Sequence, residues 1–181
     1  MKTLHLTISN NKKLQMKLEE AKEKYIQTWG TLATNWGINR TMAQVHALLL
    51  AEGKPLSTDE VMEILQISRG NANMNLRNLL EWGIVRKELL KGDRKEYFLA
   101  ERDMWFLFKQ LVKERKKREI EPVLNSIAEL KIVDEDTEEA KQFTDLMKEM
   151  ESVTGKVFNI MDLAIKSDDH WLVGKITNLL K

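Results

Sequence analysis

The segment RGNANMNLRN, residues 69–78, holds four asparagine and two arginine side chains within ten residues. Asparagine is a mediocre helix former, so this concentration in one short predicted helix favours a role other than helix stability. An asparagine carboxamide can form two hydrogen bonds with adenine, and an arginine guanidinium can do the same with guanine. The chemistry that these residue types predict is the reading of base edges.

A helical wheel at 100° per residue separates this segment into an apolar face and a polar face. The apolar face carries Ala72, Leu76, Leu79 and Leu80. The opposite face carries Gly70, Asn71, Met74, Arg77 and Asn78, with Asn73 at its edge. An outward Met74 can contact a thymine methyl, and Gly70 lets the backbone approach a phosphate near the positive end of the helix. The alternative is that this polar face is only solvated. The elements on either side of the helix distinguish between the two interpretations.

The elements around this helix have recognisable boundaries. Ser57 and Glu60 have capping-box spacing, Ser68 can cap the fourth helix, and Gly83 ends it. The predicted helices are 14–37, 39–52, one that begins at 57–60, and 69–82, and the β-like runs are 84–90 and 96–100. The charged tip KGDRK lies between the two runs and predicts a hairpin. The order helix, helix, turn, helix, hairpin predicts a winged helix-turn-helix, which favours the base-reading interpretation.

The predicted wing and the start of the third helix offer further cationic and hydroxyl groups. Lys91, Arg94 and Lys95 surround the Gly-Asp tip, and in a winged helix such side chains reach phosphates or the minor groove. An ordinary charged hairpin tip is the alternative. Ser57 and Thr58 can donate to a phosphate, although helix capping explains both residues equally well.

The remainder, 103–181, is predicted to be helical. A long helix begins near Asp103, Pro122 kinks or breaks it, and helical pieces follow near 136–152, 156–166 and 169–180. Apolar stripes in 104–112 and 171–180 are expected to bury one another or a second copy of the chain. The basic run KERKKRE, 113–119, is a solvated face, a contact for flanking phosphates, or a partner for the acidic run DEDTEE, 134–139.

Charge is distributed unevenly along the chain. The formal net charge is +1, yet residues 86–118 hold 12 Lys/Arg and 6 Asp/Glu, a net of +6, and residues 119–154 hold 3 and 11, a net of −8. Any basic surface that meets a polyanion must therefore be local.

Composition excludes several classes of protein. With 43% apolar and 31% charged residues the chain is globular, and the lack of cysteine excludes disulfides and thiol catalysis. No apolar run reaches the roughly 18 residues of a membrane span, and no signal peptide is apparent, so we expect a soluble cytoplasmic protein without membrane contact. His5, His46 and His170 have no metal spacing, and His46 is expected to be a packed core residue. We expect no cofactor, no metal and no enzymatic activity.

Residues 29–105 resemble the GbsR/MarR group of bacterial and archaeal transcriptional regulators. The patterns that carry the resemblance are WGxxxxxWGINRTMAQVHALLL, GNxxMNLRxLxxWGxV and GDRKEYFxAExDxW. The resemblance implies a homodimer that binds double-stranded DNA at a pseudo-palindrome and dimerises through flanking helices. It implies DNA contacts at Ser68, Arg69, Gly70, Asn71, Asn73, Met74, Asn75 and Arg77, with Arg94 and Lys95 on the wing.

Together these features predict a mainly α fold with three regions: an N-terminal amphipathic helix at 1–37, a winged helix-turn-helix at 38–102 and a helical dimerisation and effector region at 103–181. The expected function is sequence-specific regulation of transcription, with repression as the first expectation. A winged-helix module that binds only protein is the alternative, whereas RNA binding would favour exposed aromatic residues on the fourth helix or wing.

An unknown effector such as a quaternary amine would need an aromatic cage. The candidates are Tyr25, Trp29, Trp36 and Trp105. Core packing explains these residues equally well.

Overall fold

The computed structural model describes residues 16–167, which form two compact units. The first unit comprises 16–76 and 88–99, and the second comprises 77–87 and 100–167. In chain order the elements are α1 Leu18–Asn35, α2 Arg40–Glu52, β1 Leu56–Ser57, α3 Thr58–Leu65, α4 Arg69–Glu81, β2 Val85–Glu88, β3 Tyr97–Ala100, α5 Met104–Arg115, a π-helix Lys116–Ile120, α6 Glu121–Leu130 and α7 Glu138–Lys166. The structure is mainly helical with a small sheet, as the sequence predicts.

The core of the first unit centres on α2. Its residues Val45, Ala47, Leu48 and Leu49 are at most 1% exposed. Helix α1 lies so close to α2 that a Cβ at Gly30 would be 2.6 Å from Cγ of Gln44, so a larger residue there would require the Gln44 side chain to move. Burial of this kind stabilises each apolar side chain by roughly 1.5–3 kcal/mol.

Specific caps fix the ends of the short helices. The Asn39 side chain accepts a hydrogen bond from the Met42 amide at 3.0 Å, and α2 ends at Gly53 with a φ of 63°. The capping box at the start of α3 is present, because Ser57 accepts from the Glu60 amide and the Glu60 carboxylate accepts from the Ser57 amide. Between α3 and α4, Gln66 adopts a left-handed φ of 52°, which allows the tight turn.

The sheet has three strands in the order β1-β3-β2, and sequence reasoning missed β1. Strand β1 pairs antiparallel with β3, so that Leu56 lies opposite Phe98 and Ser57 opposite Tyr97. The two predicted β-like runs are confirmed in shorter form as β2 and β3, which form the wing. At its tip, Gly92 has a φ of 89°, a conformation that side chains disfavour.

The second unit is helical, with two departures from expectation. The chain remains helical past Pro122, but it widens into a π-helix directly before α6. The separate pieces predicted near 136–152 and 156–166 are wrong, since α7 is one helix of 29 residues. Gly155 lies inside it at a cost of about 1 kcal/mol, which a long packed helix tolerates. The piece predicted at 169–180 lies outside the described residues.

Ion pairs and polar contacts connect the helices of the second unit. Lys131 pairs with Glu151 at 2.7 Å, and the indole of Trp105 donates to the carbonyl of Ser167 at 3.3 Å. Lys116 pairs with Asp162, and its ammonium lies 3.7 Å from the centre of the Phe158 ring. None of the helices among residues 16–167 is long and apolar enough to cross a membrane.

The basic run 113–119 forms ion pairs within this unit. Arg115 reaches Glu119 at 3.1 Å, and Arg118 reaches Glu114 at 3.2 Å. The guanidinium of Arg118 also lies 5.1 Å from the ring centre of Trp82. Part of the run is thus paired within its own helical turns, and a contact with the acidic segment 134–139 or with flanking phosphates stays a prediction.

Candidate nucleic-acid interface

Helix α4 presents a polar face opposite the core. Ala72, Leu76 and Leu79 are at most 1% exposed, as predicted for the apolar face, whereas Leu80, the fourth residue of that face, is half-buried. On the other side, Met74 is 51% exposed, and the exposed residues also include Ser68, Arg69, Gly70 and Arg77. The Ser68 hydroxyl caps the helix by accepting from the Asn71 amide at 3.3 Å.

The asparagines of α4 have different environments. Asn71, Asn73 and Asn78 are half-buried. Asn75 is 0% exposed, and its Nδ2 donates to the backbone carbonyl of Asn71. The prediction that Asn75 contacts DNA directly is therefore wrong: the residue points inward, beside Leu79 on the wheel.

Asp59, at the start of α3, connects two of the predicted DNA-binding cations. Its carboxylate lies 2.5 Å from the Arg69 guanidinium and 3.4 Å from the Lys95 ammonium. The hydrogen bond from Arg69, followed by that from Lys95, holds the pKa of Asp59 below its usual value. Sequence reasoning treated this residue only as part of a helix start, and nothing in the local pattern indicated partners 10 and 36 residues away.

The wing tip is organised by Asp93. Its carboxylate accepts from the Lys95 amide at 2.9 Å and from the Tyr97 hydroxyl at 2.7 Å. These bonds, the Lys95 amide first, lower the pKa of Asp93, while the Asp93 carboxylate raises the pKa of Tyr97. The side chains of Lys91, Arg94 and Lys95 are exposed around this turn. The result is an ordered tip with three accessible cations, the form that a phosphate contact requires.

The two hydroxyl residues at the start of α3 differ in accessibility. Ser57 is only 4% exposed, and its hydroxyl is 2.7 Å from the Glu60 carboxylate. The structure thus contradicts a phosphate contact for Ser57 and assigns it to capping. Thr58 is half-buried and donates to Oδ1 of Asn73 at 3.4 Å, so its contact with phosphate stays a prediction.

The aromatic residues named as a candidate cage belong to both units of the chain. Tyr25 and Trp29 lie in α1 with ring centres 5.7 Å apart, and burial raises the pKa of Tyr25. Trp36 follows at the end of α1 and is 56% exposed. Trp105 belongs to the second unit, where it stacks on Phe108 at 5.1 Å. An effector site therefore stays a prediction.

His46 occupies the core, as the sequence predicts. It is 8% exposed, and burial lowers its pKa to about 4. Within residues 16–167 no cluster of three or more histidine or acidic side chains could hold a metal ion.

The turn between α3 and α4, the polar face of α4 and the wing define a winged helix-turn-helix protein. In sequence, the chain is similar to the HTH-type transcriptional repressor GbsR of Bacillus subtilis (strain 168). The two are 24% identical over 172 residues, which cover 82% of this chain and 95% of the relative. The resemblance to GbsR that the motifs predict is confirmed.

One of two matching solved structures supports the same fold. A crystal structure of a transcriptional regulator matches with a TM-score of 0.52 and 16% identity, and the match covers 78% of this chain and 98% of that one. A mutant of S. aureus MepR bound to an oligodeoxyribonucleotide matches with a TM-score of only 0.38 and 15% identity, over 75% of this chain and 91% of that one. No protein-family model matches the chain.

Proposed function

We propose that the chain is a transcriptional regulator that binds double-stranded DNA, with repression as its mode of action. The observation that carries the proposal is the polar face of α4, with Met74 and Arg77 exposed on the second helix of the helix-turn-helix. The similarity to a transcriptional repressor supports it. A protein bound at a promoter represses by occupying the site that the polymerase needs.

The residues of this surface have separable roles. Arg77 is placed to pair with guanine, Asn73 to hydrogen-bond a base edge, and Met74 to contact a thymine methyl. Ser68, Arg69 and Gly70 lie at the positive end of α4, where backbone amides favour phosphate. The wing cations add phosphate contacts that set orientation without reading sequence.

A module that binds only protein is the competing function. Such a module would cover the outward face of α4 with apolar side chains. The face is instead polar apart from Met74. Three exposed cations lie at the tip of the wing, which follows α4 in the chain. The DNA-binding function fits these residues better.

The test is selection of binding sites from a random pool of double-stranded DNA. The wild type is compared with the double variant Asn73→Ala, Arg77→Ala and with Lys148→Ala, which removes an exposed cation from α7 as a control. We expect the wild type and the control to recover the same motif, and the double variant to lose or relax it. Equal, salt-sensitive binding of any DNA by all three proteins would contradict sequence-specific regulation.

We propose further that the chain acts as a homodimer joined along α7. A row of exposed apolar side chains on this helix alternates in steps of three and four residues: Phe143, Leu146, Met150, Val153, Val157 and Ile160. Steps of three and four define the seam of a coiled coil. The row, here called the α7 seam, is roughly 26 Å long at 1.5 Å per residue.

The α7 seam is distinct from the face that packs within the unit. The buried Met147 and the half-buried Phe158 mark the inner face, and the wheel places the seam roughly 100° away from it. The exposed fractions in the seam run from 40% to 66%, an extent of open apolar surface that soluble monomers avoid. A second copy is the fitting partner because the pattern is self-complementary.

Sedimentation of the full chain tests the dimer. Val153→Glu with Ile160→Glu should yield a folded monomer, because two buried carboxylates in each seam would have no partner. Ser152→Glu with Asn159→Glu adds the same two charges at exposed positions one residue before the two seam positions, and this control should remain dimeric. A double variant that sediments like the wild type would overturn the α7 seam as the dimer contact.

A further inference from the structure

A buried hydrogen bond inside α4 fixes the orientation of one exposed-face asparagine. Asn75 is completely buried, and its Nδ2 donates to the backbone carbonyl of Asn71 at 2.8 Å and to Oδ1 of Asn71 at 2.7 Å. Both hydrogens of the Asn75 amide are thereby used. The other end of the Asn75 carboxamide, Oδ1, is buried without a hydrogen-bond partner.

The chemistry of the two partners permits one arrangement. A backbone carbonyl only accepts hydrogen bonds, so the Asn75 carboxamide must turn Nδ2 toward it. Because Asn75 Nδ2 also contacts the Asn71 side chain, the atom of Asn71 at that contact must be an acceptor as well. It is Oδ1, which therefore faces inward. The Asn71 Nδ2, a donor, is then the end left for the half-exposed outward side.

This arrangement costs stability. A buried, unpaired carboxamide oxygen costs roughly 1–3 kcal/mol, and asparagine is a poorer helix former than leucine. The neighbours on the same face, Ala72, Leu76 and Leu79, are apolar, as expected for a core. A leucine at position 75 would satisfy the core better, so the asparagine requires an explanation outside stability.

We propose that Asn75 is a positioning residue that makes Asn71 a donor-only reader of DNA. The inference rests on the proposed DNA-binding function and refines it. In the major groove, guanine, thymine and the N7 of adenine present acceptors, whereas cytosine presents the N4 donor. Asn71 therefore discriminates against cytosine at one position of the site, and it does not form the two-bond pair with adenine that an unconstrained asparagine can form.

The test combines site selection with a double-mutant cycle. Asn75→Leu should fold at least as stably as the wild type in urea, and it should accept cytosine about tenfold more readily at one position, with the other positions unchanged. In an Asn71→Ala background the same change should have no effect on base preference, because Asn75 acts through Asn71. A purely structural role for Asn75 would alter all positions together.

A second variant keeps the test decisive if Asn75→Leu does not fold. Asn71→Asp retains the inward oxygen and replaces the outward donor by an acceptor, so the preference at that position should shift toward cytosine. An Asn71→Asp protein with no gain for cytosine would overturn the inference, as would a folded Asn75→Leu protein that keeps the wild-type preference at every position. A wild type that selects no motif at all overturns the proposed function and this inference with it.

Discussion

Gly70 is a residue whose lack of a side chain is not explained by packing. No atom lies within 4 Å of the position that a Cβ would occupy, so alanine fits in the free protein. Gly70→Ala should therefore stabilise the fold, by up to about 1 kcal/mol, because alanine is the better helix former. The same methyl would hold a phosphate away from the helix start, and DNA affinity should fall about tenfold, the equivalent of one hydrogen bond to a charged group.

Urea unfolding and fluorescence anisotropy with the selected DNA measure the two effects of Gly70→Ala. Gly155→Ala is the matched control, since Gly155 is also helical with no atom near its Cβ position, but it lies on α7. The control should gain stability without losing affinity. A Gly70→Ala protein that binds DNA as tightly as the wild type would show that the glycine is not needed for backbone approach.

His46 makes stability depend on pH in the acidic range. Its pKa is about 4 in the folded protein against 6.5 when exposed, so the unfolded chain takes up a proton below pH 6.5 while the folded chain does not. The contribution of the neutral His46 to the free energy of unfolding is therefore fully present above pH 6.5 and declines as the pH falls toward 4. Linkage gives a loss of about 2 kcal/mol between pH 7.5 and pH 5 from this group.

Urea titrations at the two pH values test this assignment. His46→Leu keeps the position apolar and removes the titrating group, so the difference between pH 7.5 and pH 5 should shrink by about 2 kcal/mol. An unchanged pH dependence in the variant would place the acid sensitivity elsewhere in the chain.

At the scale of elements, Asp59 ties the start of α3 to the start of α4 and to the wing. Arg69 and Lys95 must give up part of this pairing before they can contact phosphate. Asp59→Asn removes the competing carboxylate and one negative charge beside the DNA. We expect affinity to rise about two- to fivefold, the range of an exposed ion pair, as measured by anisotropy at several salt concentrations.

Glu63→Gln is the control for Asp59→Asn, because it removes an exposed negative charge from the same helix α3. Glu63→Gln should change the affinity for DNA less than Asp59→Asn does. A fall in affinity for Asp59→Asn would instead indicate that the carboxylate holds both cations in their binding positions.

The sequence predicted the elements whose signals are local. Capping at Ser57 and Ser68, the apolar face of α4 and the hairpin around the Gly-Asp tip all depend on residues within a few positions of one another. Strand β1 escaped prediction because two residues show no periodicity, and it forms only by pairing with β3, about 40 residues later. The continuity of α7 was missed because packing outweighs the local cost of Gly155.

The same distinction applies to the candidate site. The exposed positions of α4 followed from helical periodicity, but the burial of Asn75 did not, because resemblance alone named every polar residue of the motif. The pairing of Asp59 with Arg69 and Lys95 joins residues from three elements, and only the folded chain shows it.

At the scale of the whole molecule, a dimer joined along the α7 seam must read two half-sites together. The half-sites of such a dimer lie on one face of the DNA, about 10 base pairs apart, and five inserted base pairs rotate one of them to the opposite face. The insertion should weaken wild-type binding at least about tenfold, whereas the Val153→Glu, Ile160→Glu variant should bind both DNAs equally weakly. Gel shifts with the two operators measure this. Equal wild-type affinity for both spacings would mean that the reading heads bind independently.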